Sequence, residues 1–372
     1  MHAYSKQPWP HGALGRIRPD AVVLPGNRED VQAIVRLANR YKFIFITSGN
    51  YNWDVPVQTK TVIVDTKRMN KILEIDERNM YAVVEPGVTH AQLSTEVMKK
   101  GLINNSSFGG GPSSVVANKL FQGIAGLGYR LGIDRETLAM EWILPTGEIL
   151  NKGSSGIAEA GYFFPFEGPG PDFRGLSRGF MGLIGGFGIV IKMAIKLLPW
   201  PGPRDLLYTG ISINKEVRLP TERFKFHLIR YTDPLEMIDA LYEMGRAEIG
   251  TIVQRYPAQS FLFKSTKSKE EFWKEWDSGY FQKEAKNVIV VWLVGFSSKR
   301  QLEYEEKVLQ EIIKNTDGED LPETDKLYRL TIPWACEWFW CGVSGRLMRP
   351  TSKVTLAMWS SDSMDNSLKL LI

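Results

Sequence analysis

Two stretches of this 372-residue chain combine small residues, hydroxyls and amides in a way that could hold an anion. One is Ser48-Gly49-Asn50-Tyr51-Asn52-Trp53, and the other is Gly109-Gly110-Gly111-Pro112-Ser113-Ser114. Glycine has no Cβ, so backbone amides in such runs turn toward a phosphate and let it come close. A diphosphate only accepts hydrogen bonds, and converging donors are what it requires. Either loop alone is a weak signal. In this order, in the same half of the chain, the pair predicts two ribbons of main-chain donors that meet around one nucleotide pyrophosphate. The commoner phosphate signatures are missing: no Gly-x-Gly-x-x-Gly follows the first strand, and there is no Gly-x-x-x-x-Gly-Lys.

The elements that must position these loops are legible in order. Residues 19–26 read as a short strand closed by Pro25-Gly26, and Asn27 caps a helix with Glu29 and Asp30 in its first turn. Val31, Ile34, Val35 and Ala38 fall at helical spacing, and Phe43-Ile-Phe-Ile-Thr47 reads as a buried strand that delivers the chain to the first loop. Strands follow over residues 61–65 and 81–88. Thr89-x-x-Gln92 then announces a capping box for a helix that stops at Gly101. After the second loop, residues 140–144 and 148–150 form a hairpin around Pro145-Thr-Gly147, residues 151–180 read as loop, and residues 188–197 as a strand. Pro199-Trp-Pro-Gly-Pro203 ends that half, which places a domain boundary at residue 202. Beyond it, strands and longer charged helices alternate over residues 203–372. That texture predicts an α+β module with a mostly antiparallel sheet.

Composition bounds the function. A net charge of +4, with Lys and Arg spread through the chain, gives no basic stripe and argues against nucleic acid as partner. Cys336 and Cys341 are the only cysteines and read as two free thiols, and the four histidines stand at no paired ligand spacing, so no metal site is expected. The most membrane-like stretch, residues 179–198, contains Lys192, Lys196 and four internal glycines and does not read as a span. The N-terminus shows no secretory pattern, so the expectation is a cytoplasmic protein, or one held at a membrane periphery through a partner.

At this point the sequence resembles a known family, the vanillyl-alcohol oxidase superfamily with its PCMH-type FAD-binding domain, in particular the glycolate oxidase and D-lactate dehydrogenase type. The matching stretches are residues 19–31, 64–76, 84–88 (Val-Glu-Pro-Gly-Val), 111–118 (Gly-Pro-Ser-Ser-Val-Val-Ala-Asn), 141–148 and 185–199. The likeness runs in consistent order over residues 17–200. It implies a two-subdomain FAD-binding domain over residues 1–202 and an α+β substrate (cap) domain over residues 203–372, the latter incomplete at its C-terminus.

Carried over by position, the resemblance implies FAD as cofactor. Ser48, Gly49, Asn50, Tyr51, Asn52 and Trp53 would form the first pyrophosphate loop, and Pro86 and Gly87 would lie beside the isoalloxazine. Gly109, Gly110, Gly111, Pro112, Ser113, Ser114 and Asn118 would wrap the pyrophosphate and ribityl chain. The run from Gly123 to Gly132 would follow the flavin, with Tyr129 and Arg130 in it as candidates for acid/base or anchoring work. Gly188, Ile189 and Val190 would contact the adenine end through main-chain groups. The first loop departs from the family's Arg-Gly-Gly-Gly-Thr pattern, since Tyr51 and Trp53 are bulky where glycine is usual. Neither loop holds a histidine or cysteine, so the flavin is expected to be non-covalent.

The implied activity is oxidation of a C–H bearing a hydroxyl, in a 2-hydroxy acid of the glycolate or D-lactate type or in an aromatic alcohol. Arg230, Arg346 and Arg349 read either as carboxylate anchors or as surface arginines, and the aromatic tract over residues 333–340 as pocket lining or as core. The family's C-terminal histidine-rich segment is not seen before Ile372. That motivates an alternative: a non-catalytic or electron-relay flavin subunit, with an iron–sulfur or other electron-transfer partner.

Overall fold

The computed structural model describes residues 19–48, 60–105, 113–120, 137–156, 161–162, 186–204, 208–209, 216–217, 222–266 and 268–332. These fall into two compact units, one running through Leu198 and the other starting at Pro199.

The first unit opens with a parallel sheet of three strands, β1 (Ala21–Val23), β2 (Ile44–Ser48) and β3 (Thr61–Asp65), in the order β1-β3-β2. Helix α1 (Arg28–Tyr41) starts where Asn27 accepts a bond from the Asp30 amide at 2.8 Å, with Glu29 and Asp30 at its positive end. Its buried Val31 and Val35 pack with Val64, Met69, Ile143 and Ile189. The stretch expected as a buried strand is shifted by one residue, and Ile44 lies open to solvent. Among the described residues β2 stands at the edge of its sheet with β3 as its one neighbour.

Five antiparallel strands make the larger sheet of this unit: β4 (Ile72–Asp76), β5 (Tyr81–Val84), β7 (Thr137–Ile143), β8 (Ile149–Lys152) and β9 (Ile189–Lys196), in the order β4-β5-β9-β7-β8. A short β6 (Leu102–Ile103) lies outside it. Strand β5 stops at Val84, four residues before the sequence suggested. Pro86 has no N–H for the ladder, and a turn closes there when the Val88 amide donates to Glu85 O at 3.1 Å. Helices α2 (His90–Lys99) and α3 (Val115–Leu120) cover one face. Their Leu93, Val97 and Val116 form a core with Val84, Met140 and Met193. The capping box of α2 is made as its sequence predicts: the Gln92 amide donates to Thr89 Oγ1 at 3.2 Å, and the Thr89 amide donates to Gln92 Oε1 at 2.9 Å.

The second unit is built on a four-stranded antiparallel sheet, β10 (Phe224–Arg230), β11 (Ile252–Arg255), β12 (Val288–Val294) and β13 (Glu319–Asp320), in the order β11-β12-β10-β13. Helices α4 (Pro234–Arg246) and α5 (Lys299–Asn315) bury Met237, Ala240, Leu309 and Ile313 with Ile229 and Ile289 of the sheet. Every residue of β12 is buried. A strand covered on both faces reads as a continuous apolar run, and Val-Ile-Val-Val-Trp-Leu-Val is one.

Candidate functional site

A recess of about 360 Å³, part of it open to solvent, lies within the first unit. Strand β2 reaches it at Thr47 and Ser48, and Thr66 stands just beyond the end of β3. The carboxyl ends of neighbouring parallel strands are where such sheets commonly leave room for ligands. Pro86, in the turn after β5, forms another side. Ser114, Val116, Ala117 and Leu120 arrive with α3, and Gly188, Ile189 and Val190 with the start of β9. Six residues singled out from the sequence as cofactor contacts therefore line one cavity: Ser48, Pro86, Ser114, Gly188, Ile189 and Val190.

Hydrogen bonds hold these walls in place. Ser114 Oγ donates to Pro86 O at 2.5 Å and accepts from the Ala117 amide at 3.1 Å, so its hydroxyl ties the turn to α3. The Ser114 hydroxyl is thus engaged within the frame. The Val115 amide donates to Val88 O at 2.9 Å, and the His90 amide to Ser113 O at 3.0 Å. Thr66 Oγ1 reaches Ser48 O at 3.4 Å.

Two of the candidate glycines are required by the protein itself. A Cβ on Gly87 would stand 2.6 Å from Thr66 O and 2.7 Å from Met69 O, and the Gly87 amide already donates to Met69 O at 2.7 Å. At Gly188, φ is +115°, and a Cβ would fall 2.1 Å from Ile143 O. Gly87 lets the turn after β5 lie against the backbone of Thr66 and Met69, and Gly188 lets the start of β9 lie against β7. Gly87 and Ser113 flank the recess without lining it, as does Asn118 one turn along α3 from Ser114.

Sequence reasoning missed the polar cluster behind α3. His90, Ser94, Asn104 and Asn105 are fully buried, and Lys119 is 1% exposed. Ser94 Oγ donates to Asn104 Oδ1 at 2.6 Å, Asn104 Nδ2 lies 2.9 Å from His90 Nδ1, and His90 Nε2 lies 3.1 Å from Asn118 Oδ1. Lys119 Nζ donates to Asn105 O at 2.7 Å. Burial, aided by the Lys119 ammonium, pushes the His90 imidazole down to about 3 against the pull of Asn118. The imidazole stays neutral. A signal was available: His90 and Ser94 are four apart in a helix whose Leu93 and Val97 face the core, so two polar residues had to be buried with partners.

Other candidates fare differently. Gly49, Asn50, Tyr51, Asn52, Trp53, Gly109, Gly110, Gly111, Pro112, Gly123, Tyr129, Arg130 and Gly132 lie outside the described residues, as do Arg346, Arg349 and the tract over residues 333–340. Arg230 is engaged by Glu284 and Glu319, each at 2.6 Å, so a substrate carboxylate would have to displace them. Among the described residues there is no group of three metal-ligating side chains, and no helix is long and apolar enough to cross a membrane.

Comparison with known proteins places this frame. Residues 19–153 match the family described as FAD binding domain. The 1'-carboxy-chondrochloren decarboxylase of Chondromyces crocatus is 31% identical over 217 residues, covering 55% of this chain and 38% of that protein. Glycolate oxidase subunit GlcD of Bacillus subtilis is 29% identical over 196 residues, covering 51% of this chain and 39% of that protein. The chain thus spans about two fifths of the length of these curated relatives. In fold it is similar to p-cresol methylhydroxylase solved with substrate bound, at a TM-score of 0.67 and 21% identity, covering 89% of this chain and 64% of the other.

Proposed function

We propose that residues 19–153, which match the family described as FAD binding domain, carry an FAD-binding domain of the PCMH type, and that the chain is the flavin-binding part of an oxidoreductase acting on a C–H bond that bears a hydroxyl. The observation that carries this reading is the convergence of Ser48, Pro86, Ser114 and Gly188–Val190, from four distant chain segments, on one recess. FAD, when bound, supplies a two-electron acceptor for the substrate hydride.

The chain's own residues hold and shield it. Ser48, with the donors of residues 49–53, is assigned to one part of the diphosphate, and residues 109–114 with Asn118 to another. Gly188, Ile189 and Val190 offer backbone groups along the β9 edge. Val116, Leu120 and Val190 give the recess apolar walls that exclude water. Tyr129 and Arg130 are assigned to accepting the hydroxyl proton and anchoring a carboxylate.

The substrate class is a 2-hydroxy acid of the glycolate or D-lactate type, with an aromatic alcohol second. Residues 203–372 serve as the substrate domain. A non-covalent flavin belongs to this reading: neither residues 48–53 nor residues 109–114 include a histidine or cysteine, and His90 is buried with both ring nitrogens engaged. A cytoplasmic setting completes this reading. A flavin subunit that relays electrons to an iron–sulfur or other partner is the second reading, favoured by the departure of Tyr51 and Trp53 from the family loop.

The test is optical. Full-length protein reconstituted with FAD should be yellow, should release its flavin on acid precipitation, and should bleach with a 2-hydroxy acid or aromatic alcohol. Carboxylated substrates with detection of CO2 belong in the same screen, since one relative is named a decarboxylase. Protein that stays colourless after reconstitution refutes the flavin reading. Yellow protein that no such substrate bleaches refutes the dehydrogenase reading and leaves the relay subunit.

A further inference from the structure

Thr66 and Ser114 both line the recess, and their hydroxyl protons are held very differently. Ser114 Oγ donates to Pro86 O at 2.5 Å and accepts from the Ala117 amide at 3.1 Å, so its proton belongs to the frame. Thr66 Oγ1 donates to Ser48 O at 3.4 Å. Hydroxyl hydrogen bonds are best at about 2.7–2.8 Å, and one this long is weak. The residue itself is fixed all the same. Thr66 is 4% exposed, its carbonyl accepts from the Met69 amide at 2.9 Å, and Gly87 lets the turn after β5 lie against that carbonyl. Its β-branched side chain has little rotamer freedom. The neighbouring negative charge is compensated, since Asp65 takes the Lys67 amide at 3.0 Å and Lys67 Nζ at 3.1 Å. A loosely held proton on a firmly held backbone thus stands in the wall of a recess, just past the carboxyl end of a parallel strand.

We propose that Thr66 is a side-chain donor to the cofactor: on binding, its hydroxyl turns from Ser48 O to an anionic oxygen of the FAD diphosphate. This rests on the FAD reading given above. A hydroxyl bond to an anionic oxygen is charge-assisted, runs at about 2.5–2.7 Å and is about twice as strong as a neutral one. It therefore wins against a carbonyl at 3.4 Å. Rotation about the Cβ–Oγ1 bond redirects the proton, and no backbone has to move. Little is lost by leaving Ser48 O, because the bond given up was long. The Ser114 hydroxyl cannot make the same exchange as cheaply: its proton sits in a short bond that ties the turn after β5 to α3.

FAD affinity and the 31P spectrum of bound FAD, both on the full chain, test this contact. Wild type, Thr66→Ser, Thr66→Val and Thr66→Ala are titrated with FAD by flavin fluorescence. Thr66→Val and Thr66→Ala should each weaken binding by about tenfold, and Thr66→Ser should stay within about threefold of wild type. One of the two diphosphate resonances should move in the hydroxyl-free variants and return toward its place in Thr66→Ser. A wild type that binds no FAD overturns the flavin reading itself. If wild type binds FAD and the hydroxyl-free variants bind it equally well, the Thr66 contact alone is overturned. Weaker binding with both 31P resonances unmoved also overturns it, and assigns the loss to the wall around Ser48. Should both hydroxyl-free variants fail to fold, the Thr66 methyl signal of threonine-labelled wild type, assigned by its loss in Thr66→Ser, still decides. It should shift when FAD is added, and a signal that stays in place overturns the contact.

Discussion

Replacing Gly188 by alanine should unlock the β7–β9 seam, and the cost can be set against a control within the same unit. At Gly188 φ is +115°, and the added Cβ would lie 2.1 Å from Ile143 O and 2.7 Å from Trp142 Nε1. Neither neighbour is the far end of a flexible side chain: one is backbone in a paired strand, the other the indole of a buried tryptophan. Gly101 has φ +72° with nothing within 4 Å of its added Cβ, so Gly101→Ala carries the conformational cost alone, about 1–2 kcal/mol. Gly188→Ala adds a forced separation of strands to a cost of that kind, for a total of about 3–5 kcal/mol. Against domain stabilities of about 5–15 kcal/mol that is a large fraction. Hydrogen exchange read by mass spectrometry localises the effect. Peptides covering β7 and β9 should lose protection in Gly188→Ala and much less in Gly101→Ala, while peptides from residues 224–230 and 288–294 of the second unit serve as internal reference. Equal losses in the two variants would refute the claim that backbone contact, and not φ alone, demands glycine at position 188.

Two further expectations follow from charge. The His90 pKa falls to about 3 in the folded protein, whereas an unfolded histidine titrates near 6.5, so below that pH the unfolded chain binds a proton that the native chain refuses. Stability should therefore drop as pH falls below about 6.5, by about 2 kcal/mol at pH 5 from this group, and His90→Gln should flatten that part of the profile of denaturant midpoint against pH. Glu141 is 7% exposed and takes Lys192 Nζ at 3.0 Å and Arg28 Nη1 at 3.4 Å. Glu141→Gln should cost about 1–2 kcal/mol by equilibrium unfolding, since Lys192 and Arg28 both keep some access to water.

Element identity was legible where local chemistry decides it. Asn27 with its acidic first turn and Thr89 with Gln92 each mark a helix start, and each caps the helix it precedes. Burial was harder. Phe43-Ile-Phe-Ile-Thr47 has the composition of a central strand, but nothing local reveals that its sheet ends there. Pro86 sets the end of β5: it has no N–H for the ladder, and Glu85, Pro86 and Gly87 interrupt the apolar run before Val88. In the site, residue type pointed to Ser48, Pro86, Ser114 and Gly188, which line one recess, but not to the bond that engages the Ser114 hydroxyl. Which partner a hydroxyl finds depends on tertiary contacts, and Pro86 O is 28 residues away in the chain. The histidine cluster escaped notice for the same reason, since Asn104 and Asn118 lie 14 and 28 residues from His90.

The start of β9 shows why spacing alone could not draw the recess. Residues 188–197 are nearly all apolar, so no alternation distinguishes one face from the other. In the sheet, Glu141 pairs with Lys192 and Trp142 with Val190, which leaves Ile191 without an opposite number. That extra residue is a bulge, and a bulge bends its strand and reverses which side chains face each way. Up to and including it, Ile189 and Ile191 pack with Val31 and Val35 of α1. After it, Met193 and Ile195 pack with Leu93 and Val97 of α2. One strand thus serves the layer behind the parallel sheet and the layer behind the antiparallel one. Only a strand bent at that point brings Gly188, Ile189 and Val190 to the same recess as Ser48 of β2 and Ser114 at the start of α3. The geometry of the candidate site is set by a single unpaired residue that has no polar atom beyond its backbone.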